Sequence, residues 1–191
     1  MADDYASHYP ILAAAVNRTA EPVLECGMGE GSSPMLHYMC KLGGRLLISM
    51  ETDGDWILKY NSYSHPQHII KHLTSPDRWA WVDEYIPGNP FFGVVFVDNA
   101  PGHVRSWLIE HFKDRARFII AHDSERDWAS GANYGYERVK PMFKHVTEFR
   151  RWRPYTLVLS NFQPFPIEAC DREWVPSPEQ MAVYQKEGIK K

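Results

Sequence analysis

Glu25-Cys26-Gly27-Met28-Gly29-Glu30-Gly31-Ser32-Ser33-Pro34 is the stretch on which the reading of this chain turns. The apolar run Pro22-Val23-Leu24 precedes it and reads as a strand, while Met35, Leu36, Met39 and Leu42 follow at helical spacing. Ser33 before Pro34 marks a helix start, because a serine hydroxyl accepts from free N–H groups and proline is tolerated in the first turn. Gly43-Gly44 supplies the stop. Strand, glycine-rich turn and helix together let a ligand lie against bare backbone at the positive end of a helix dipole. Glu51, 24 residues after Gly27, closes the next strand (Arg45–Met50), where an acid can accept both hydroxyls of a ribose.

Outward from this unit the pattern alternates. Trp56–Leu73 reads as helix broken at Pro66, Trp79–Asp83 as a strand, and Phe92–Val97 (FGVVFV) as a strand buried on both faces. Val104–Phe112 reads as helix, Phe118–Ala121 as strand and Tyr136–Phe143 as helix. Val146–Phe149 and Thr156–Leu159 are close enough to pair antiparallel. The predicted architecture is α/β, a Rossmann-like doubly wound, mostly parallel seven-stranded sheet with an antiparallel C-terminal strand pair and helices on both faces. One domain is expected over residues 1–191, with a helix or lid in 1–20 carrying Tyr5 and Tyr9, the core in 21–162 and a tail in 163–191.

Composition narrows the classes. The chain's 191 residues carry 21 Lys and Arg against 24 Asp and Glu, a net charge of −3, which argues against general phosphate-backbone binding and predicts no nucleic-acid partner. The longest apolar run, Phe91–Val97, is far short of the roughly 20 residues a membrane span needs. Met1-Ala2-Asp3-Asp4 lacks the positive start of an export signal. Cys26, Cys40 and Cys170 form no even framework, which suits a reducing, cytoplasmic setting.

The turn fits any adenosine-type cofactor, NAD included. Two residues separate the options. The dinucleotide fingerprint wants a glycine where Ser32 stands. Glu25, two residues before the first glycine, would repel a pyrophosphate but attract the ammonium of a methionine moiety. At this point the chain resembles the class I S-adenosylmethionine-dependent methyltransferases, whose first motif runs acid-x-G-x-G-x-G. Glu25, Gly27, Gly29 and Gly31 match it position by position, and Glu51 matches the ribose acid. The resemblance spans roughly Pro22 to Phe162. It implies S-adenosylmethionine as cofactor, with Glu25, Gly27 and Ser32 around the methionine part, Glu51 on the ribose and Trp81 to Asp83 near the adenine.

The strands ending at Asp98 and at His122-Asp123 open on the same sheet edge. Asp98, His122 and Asp123 all qualify as the base for a hydroxyl acceptor, and His122 is the natural single base. Alternatively Asp98 and Asp123 would hold a hard cation such as Mg²⁺, an arrangement that resembles the metal-dependent O-methyltransferases, although Ser124-Glu125 departs from their pattern. Trp128, Tyr134, Tyr136, Trp152 and Tyr155 fall in the acceptor region and favour a sugar, whose apolar face stacks on such rings. The expected activity is methyl transfer to a hydroxyl of a small acceptor, a glycan sugar favoured. A nicotinamide-dependent sugar oxidoreductase and a non-catalytic cofactor-binding module are the alternatives. His65, His68 and His72 have the helical spacing of a zinc site but lack an acid, Tyr136-x-x-x-Lys140 lacks its partner motif, and Arg150–Arg153 reads as a solvated hairpin tip.

Overall fold

The computed structural model describes residues 7–125 and 134–167. Their strands are β1 (Val23–Cys26), β2 (Leu47–Glu51), β3 (His68–His72), β4 (Phe92–Val97), β5 (Ala116–Ala121), β6 (His145–Phe149) and β7 (Thr156–Ser160). They form one seven-stranded sheet in the order β3-β2-β1-β4-β5-β7-β6. All pairs from β3 through β5 are parallel, and β7 pairs antiparallel with both β5 and β6. This is the architecture the alternating pattern predicts.

The helices are α1 (Tyr9–Asn17), α2 (Ser32–Leu42), α3 (Gly54–Tyr60), α4 (Arg105–Phe112) and the short α5 (Tyr136–Val139). Side chains alternate across each strand, so β4 feeds two cores. Val95 and Val97 join Leu24, Leu108, Ile109 and Phe112 on one face. Val94 and Phe96 join Ile11, Leu12, Leu36 and Phe118 on the other. Helices α1 and α2 cover that second face. The N-terminal helix is therefore part of the core, and Ser7, His8 and Tyr9 at its start reach the sheet edge, the Tyr9 ring lying against Gly31; Tyr5 lies outside the described residues. Arg45 ties α1 to the sheet, donating to the carbonyls of Val16 (2.6 Å), Thr19 (2.9 Å) and Glu21 (3.0 Å).

The third strand differs from the sequence reading. Residues past Pro66 are not helical: Ile69 and Ile70, β-branched neighbours, lie in β3, which adds to β2 as an edge strand. Trp79–Asp83 is instead part of the 3₁₀ segment Pro76–Tyr85, broken at Trp81. Ser75-Pro76 is a helix-start pair, and Trp79 is buried with its indole N–H donating to the Ala100 carbonyl at 3.1 Å. Large apolar residues here serve a helix packed over the sheet rather than a strand within it.

Gly27 has φ +93°, and a Cβ there would stand 2.6 Å from the backbone of Asp98 and Asn99 at the end of β4. Both the conformation and the contact exclude a side chain. Gly27→Ala is expected to cost on the order of 3 kcal/mol or more, read as a lower urea midpoint at unchanged slope.

Candidate active site

The carboxyl ends of β1, β2, β4 and β5 meet at one edge, and each contributes polar groups. At β1, Glu25 is fully buried. Its Oε1 accepts from the hydroxyls of Ser32 (2.6 Å) and Ser33 (2.9 Å), and its Oε2 from Ser49 (2.5 Å). The predicted ring of residues around a methionine group is thus arranged differently. Glu25 lies beneath the glycine turn and acts on it through serines instead of being presented to a ligand. Ser33 does not cap α2, since its hydroxyl is turned down to Glu25 and its oxygen accepts from the Gly29 N–H at 3.0 Å. The helix starts at Ser32, with Gly31 at its N-cap and no side-chain cap.

Behind Glu25 runs a line of donors. Ser49 gives its proton to Glu25, so its oxygen accepts from His68 Nε2–H at 2.9 Å. That leaves His68 Nδ1 to accept from His37 Nδ1–H at 3.0 Å. Burial, then His37 and His65, press His68 down to about 4, in keeping with this neutral role. The three histidines at helical spacing do not form one set: His65 stays beside His68, ring centroids 6.4 Å apart, and His68 lies inside the sheet, while His72 turns to the Thr52 carbonyl at 3.3 Å.

At β2, Glu51 Oε2 accepts from the Met28 N–H at 2.8 Å, and Oε1 from the N–H groups of Thr52 (2.6 Å) and Asp53 (2.9 Å). The acid expected at the ribose is thus fastened directly to the glycine turn. Gly29 is open, with only Ser32 Oγ at 3.9 Å from a Cβ placed there. At the end of β4 the Asn99 side chain is fully buried, and neither amide atom has a hydrogen-bond partner among the described residues. Bare backbone, a carboxylate with one oxygen holding a single donor and an unpaired amide all fit an adenosyl amino acid. Asp83 does not join them. It pairs with His111 (2.9 Å) and Arg115 (2.8 Å), and Arg115 stands just before β5, at the opposite end of the sheet. The expected adenine contact at Asp83 is not supplied from there.

Asp98, His122 and Asp123 do converge, with ligand-type atoms all within 4.8 Å of one another. Arg105, from the first turn of α4, joins them. Its guanidinium reaches Asp98 at 2.9 Å and Asp123 at 3.3 Å, while it also donates to the carbonyls of Asn99 (2.9 Å) and His122 (3.2 Å). The Tyr134 ring lies over it, 4.6 Å from the guanidinium carbon, and also against Gly102, where any Cβ would strike the ring. The resident cation between the two carboxylates is thus an arginine, and the residues do not fit the expected Mg²⁺. Burial would raise the Asp98 carboxyl, but the hydrogen bond from His122 and the charge of Arg105 hold it below the usual range.

His122 is enclosed as well. Ser7 donates to the Pro154 carbonyl at 2.5 Å, so Ser7 Oγ accepts from His122 Nε2–H at 3.1 Å. Nδ1 faces Asp98 at 3.3 Å and Asp123 at 3.7 Å. Neither nitrogen offers a lone pair to the cleft, so His122 does not stand as the free base the sequence suggests. Of the acids here, Asp98 is the more open, its side chain 28% exposed against 12% for Asp123. Ser7, His8, Asn99 and Arg105 were not legible as site residues. Arg105 alone left a signal, since a cation in the first turn of a helix opposes the dipole and needs a partner elsewhere.

Among solved structures, a spermidine synthase in complex with the transition state analogue AdoDATO is similar over 98% of this chain and 75% of its own, with TM-score 0.59 and 15% identity. Human methyltransferase-like protein 13 in complex with SAH matches over 94% and 88%, with TM-score 0.58 and 16% identity. The O-methyltransferase from Bacillus cereus in complex with SAH matches over 84% and 82%, with TM-score 0.54 and 12% identity. The chain has the class I methyltransferase fold. No protein-family model matches it, and neither does any curated protein. Because a spermidine synthase is built the same way, this fold sets where a ligand sits and leaves the group transferred to the site chemistry.

Burial lifts the Glu25 carboxyl to about 7, against the pull of Ser32, Ser49 and Ser33. A carboxyl raised on folding binds a proton more tightly in the native state, so stability falls as pH rises from about 4.5 through about 7. Glu25 alone is expected to contribute a loss on the order of 3 kcal/mol over that window, read as the difference between wild type and Glu25→Gln in urea unfolding at pH 5 and pH 8. The opposite contribution of His8 and His68, whose rings are held below their ordinary value, is common to both proteins and drops out of that difference. Since Arg105 takes the cation position, neither EDTA nor added Mg²⁺ is expected to move the thermal transition or the affinity for S-adenosylhomocysteine.

Proposed function

We propose that the protein transfers a methyl group from S-adenosylmethionine to a hydroxyl of a small acceptor, with a sugar of a glycan as the favoured class. One observation carries the reading: the Met28 N–H bonded to Glu51 at 2.8 Å, which fastens a ribose-type acid to a bare glycine turn. The cofactor supplies a methyl group on a positively charged sulfur. The protein's share is then largely alignment. Glu51 uses the acceptor position left on Oε2 for a ribose hydroxyl. A carboxylate oxygen offers about two acceptor sites, and Oε2 holds only the Met28 N–H, whereas Oε1 is taken by Thr52 and Asp53. Gly27 through Gly31 give the backbone against which the amino-acid part lies.

Asp98 is the group that receives the acceptor's proton. Arg105 and His122 keep it ionised, which makes it a weak base. That suffices, because an O–H proton becomes strongly acidic once the oxygen is bonding to carbon, and transfer late in the displacement needs little basicity. Asp123 and His122 hold Asp98 and Arg105 in register.

The acceptor side is bounded by the turn between β6 and β7. Because β7 runs antiparallel to β5, that turn lies at the same sheet edge as His122, with Ser124 N–H bonded to the Tyr155 carbonyl at 3.0 Å. Trp152, 44% exposed, and Tyr155 project from it, and ring faces of this kind suit a sugar. Trp128 lies outside the described residues. Arg150, Arg151 and Arg153 border the same edge and favour acceptors that carry negative charge.

The test is mass spectrometry with methyl-deuterated cofactor and a panel of neutral and acidic methyl glycosides, catechols and nucleosides. Label on a glycoside is expected, with kcat lowered about a hundredfold in Asp98→Asn. Calorimetry is expected to show binding of S-adenosylhomocysteine and none of NAD. Binding of NAD alone would overturn the methyl-transfer reading, and label on a nucleoside or catechol but no glycoside would overturn the sugar.

A further inference from the structure

The ring of His8 is 2% exposed, and neither ring nitrogen has a hydrogen-bond partner among the described residues. A neutral imidazole always carries one N–H, and leaving such a donor buried and unpaired costs about 1–3 kcal/mol. Buried groups left in this state call for a reason, and a missing ligand is one. The ring's direction indicates which. Its Cε1, the carbon between the two nitrogens, lies 3.1 Å from the point where a Cβ on Gly31 would stand.

Gly31 is the N-cap of α2, an eleven-residue helix that no side chain caps, because the Ser32 and Ser33 hydroxyls are spent on Glu25. The nitrogen-bearing edge of His8 therefore faces the positive end of a helix, with the Tyr9 ring beside it and its hydroxyl 3.2 Å from the same point on Gly31, and no carboxylate stands against either ring nitrogen among the described residues. Such a pair of surfaces forms the two halves of an anion site.

We propose that His8 and the N-terminus of α2 together bind the carboxylate of the cofactor's amino-acid end, and that His8 takes up a proton from solvent as that carboxylate arrives. The proposal rests on the adenosyl-cofactor reading above and adds the group that selects cofactors bearing an intact amino acid.

The surroundings of His8 set the direction of the proton. From β5 it faces His122, with ring centroids 4.7 Å apart; from β4, Phe96 at 4.9 Å and, beyond it, the Asp98 carboxylate; from its own segment, Tyr9 at 5.2 Å. Burial first, and His122 second, push the ring down to about 3 in the free protein, opposed only by Asp98. An arriving carboxylate adds the missing negative charge beside the ring, so its affinity for a proton rises on binding. Glu25 faces away, toward the serines under the turn, and any proton it releases is common to all variants of His8.

The experiment is titration calorimetry near pH 7 in two buffers of different ionisation enthalpy. The ligands are S-adenosylhomocysteine, 5′-methylthioadenosine (the same nucleoside thioether without the amino-acid end) and inorganic phosphate. The proteins are wild type, His8→Phe and His8→Gln. Wild type is expected to take up more protons with S-adenosylhomocysteine than His8→Phe does, and to bind it at least about tenfold more tightly. His8→Gln keeps an N–H donor but cannot titrate, so it recovers part of the affinity and none of the extra uptake. Affinity for 5′-methylthioadenosine is expected to stay within about twofold across the three proteins, which also reports that the variants are folded.

Equal affinity and equal uptake in wild type and His8→Phe would overturn the proposal. So would a loss with 5′-methylthioadenosine as large as that with S-adenosylhomocysteine, or a dependence on His8 seen with phosphate alone. Failure of wild type to bind either nucleoside would instead overturn the cofactor reading on which the proposal stands.

Discussion

A buried carboxylate governs the geometry of this protein's ligand edge. Glu25 has no exposed surface, and the hydroxyls of Ser32, Ser33 and Ser49 close on its two oxygens. Hydrogen bonds to an ionised group are the strong ones, and a buried charge without them would be costly. The first residues of α2 are thus pulled down toward the end of β1, and the chain between them has to turn tightly across the end of β4. Gly27 is the residue that makes this crossing, at φ +93° with the Asp98–Asn99 backbone against its bare face. Glu51 then clasps the outer side of the same turn through Met28. Remove the Glu25 contacts and the turn, the start of α2 and the seat of Glu51 lose their common reference.

The second polar group on this edge is balanced differently. Asp98 and Asp123 meet Arg105 and His122, so two carboxylates are matched by one permanent cation and one imidazole whose nitrogens both face acceptors. A divalent cation would have to displace the guanidinium, which holds four separate oxygen partners and carries the Tyr134 ring on its face. Breaking such an enclosed set by removing one member leaves an uncompensated charge. This arrangement serves a reaction that needs a steady, ionised hydrogen-bond acceptor more than one that needs a strong base.

How far the sequence disclosed this varies with the range of the interaction. Strands buried on both faces, such as Phe92–Val97, and the strand–glycine–helix unit around Gly27 are legible because local chemistry alone decides them. The third strand was misplaced because Trp79 and Val82 are apolar for packing, and a short apolar stretch does not say whether it is strand or helix. Glu51 was legible from its position after a strand. Glu25 was legible as important and misread in role: the pattern acid-x-G-x-G-x-G shows where a carboxylate stands, whereas its burial depends on Ser49, 24 residues away. Ser7 and His8 reach the site only through the way α1 lies on β4, which no local pattern encodes.

Charge laid out along the sheet edge also orders the ligand. Neighbouring strands stand about 4.8 Å apart, so β2 to β5 covers roughly 14 Å, enough for a nucleoside followed by an amino acid. In the proposed reading Glu51 at β2 meets the sugar of the nucleoside. In the same reading the thioether portion lies along the turn after β1, with the uncapped α2 terminus and His8 on one side of it. Asp98 at β4 is the partly open anion, and it stands where Glu25 was first expected to act. In the proposed reading the anionic oxygens of a zwitterionic end group lie toward α2, and Asp98 is left to the acceptor's proton. A diphosphate finds no such fit, because the sites that would flank it bear opposite charge. A pyrophosphate lying along this edge would in that reading bring its negative charge up to Asp98, so discrimination against a dinucleotide does not need Glu25 to be exposed.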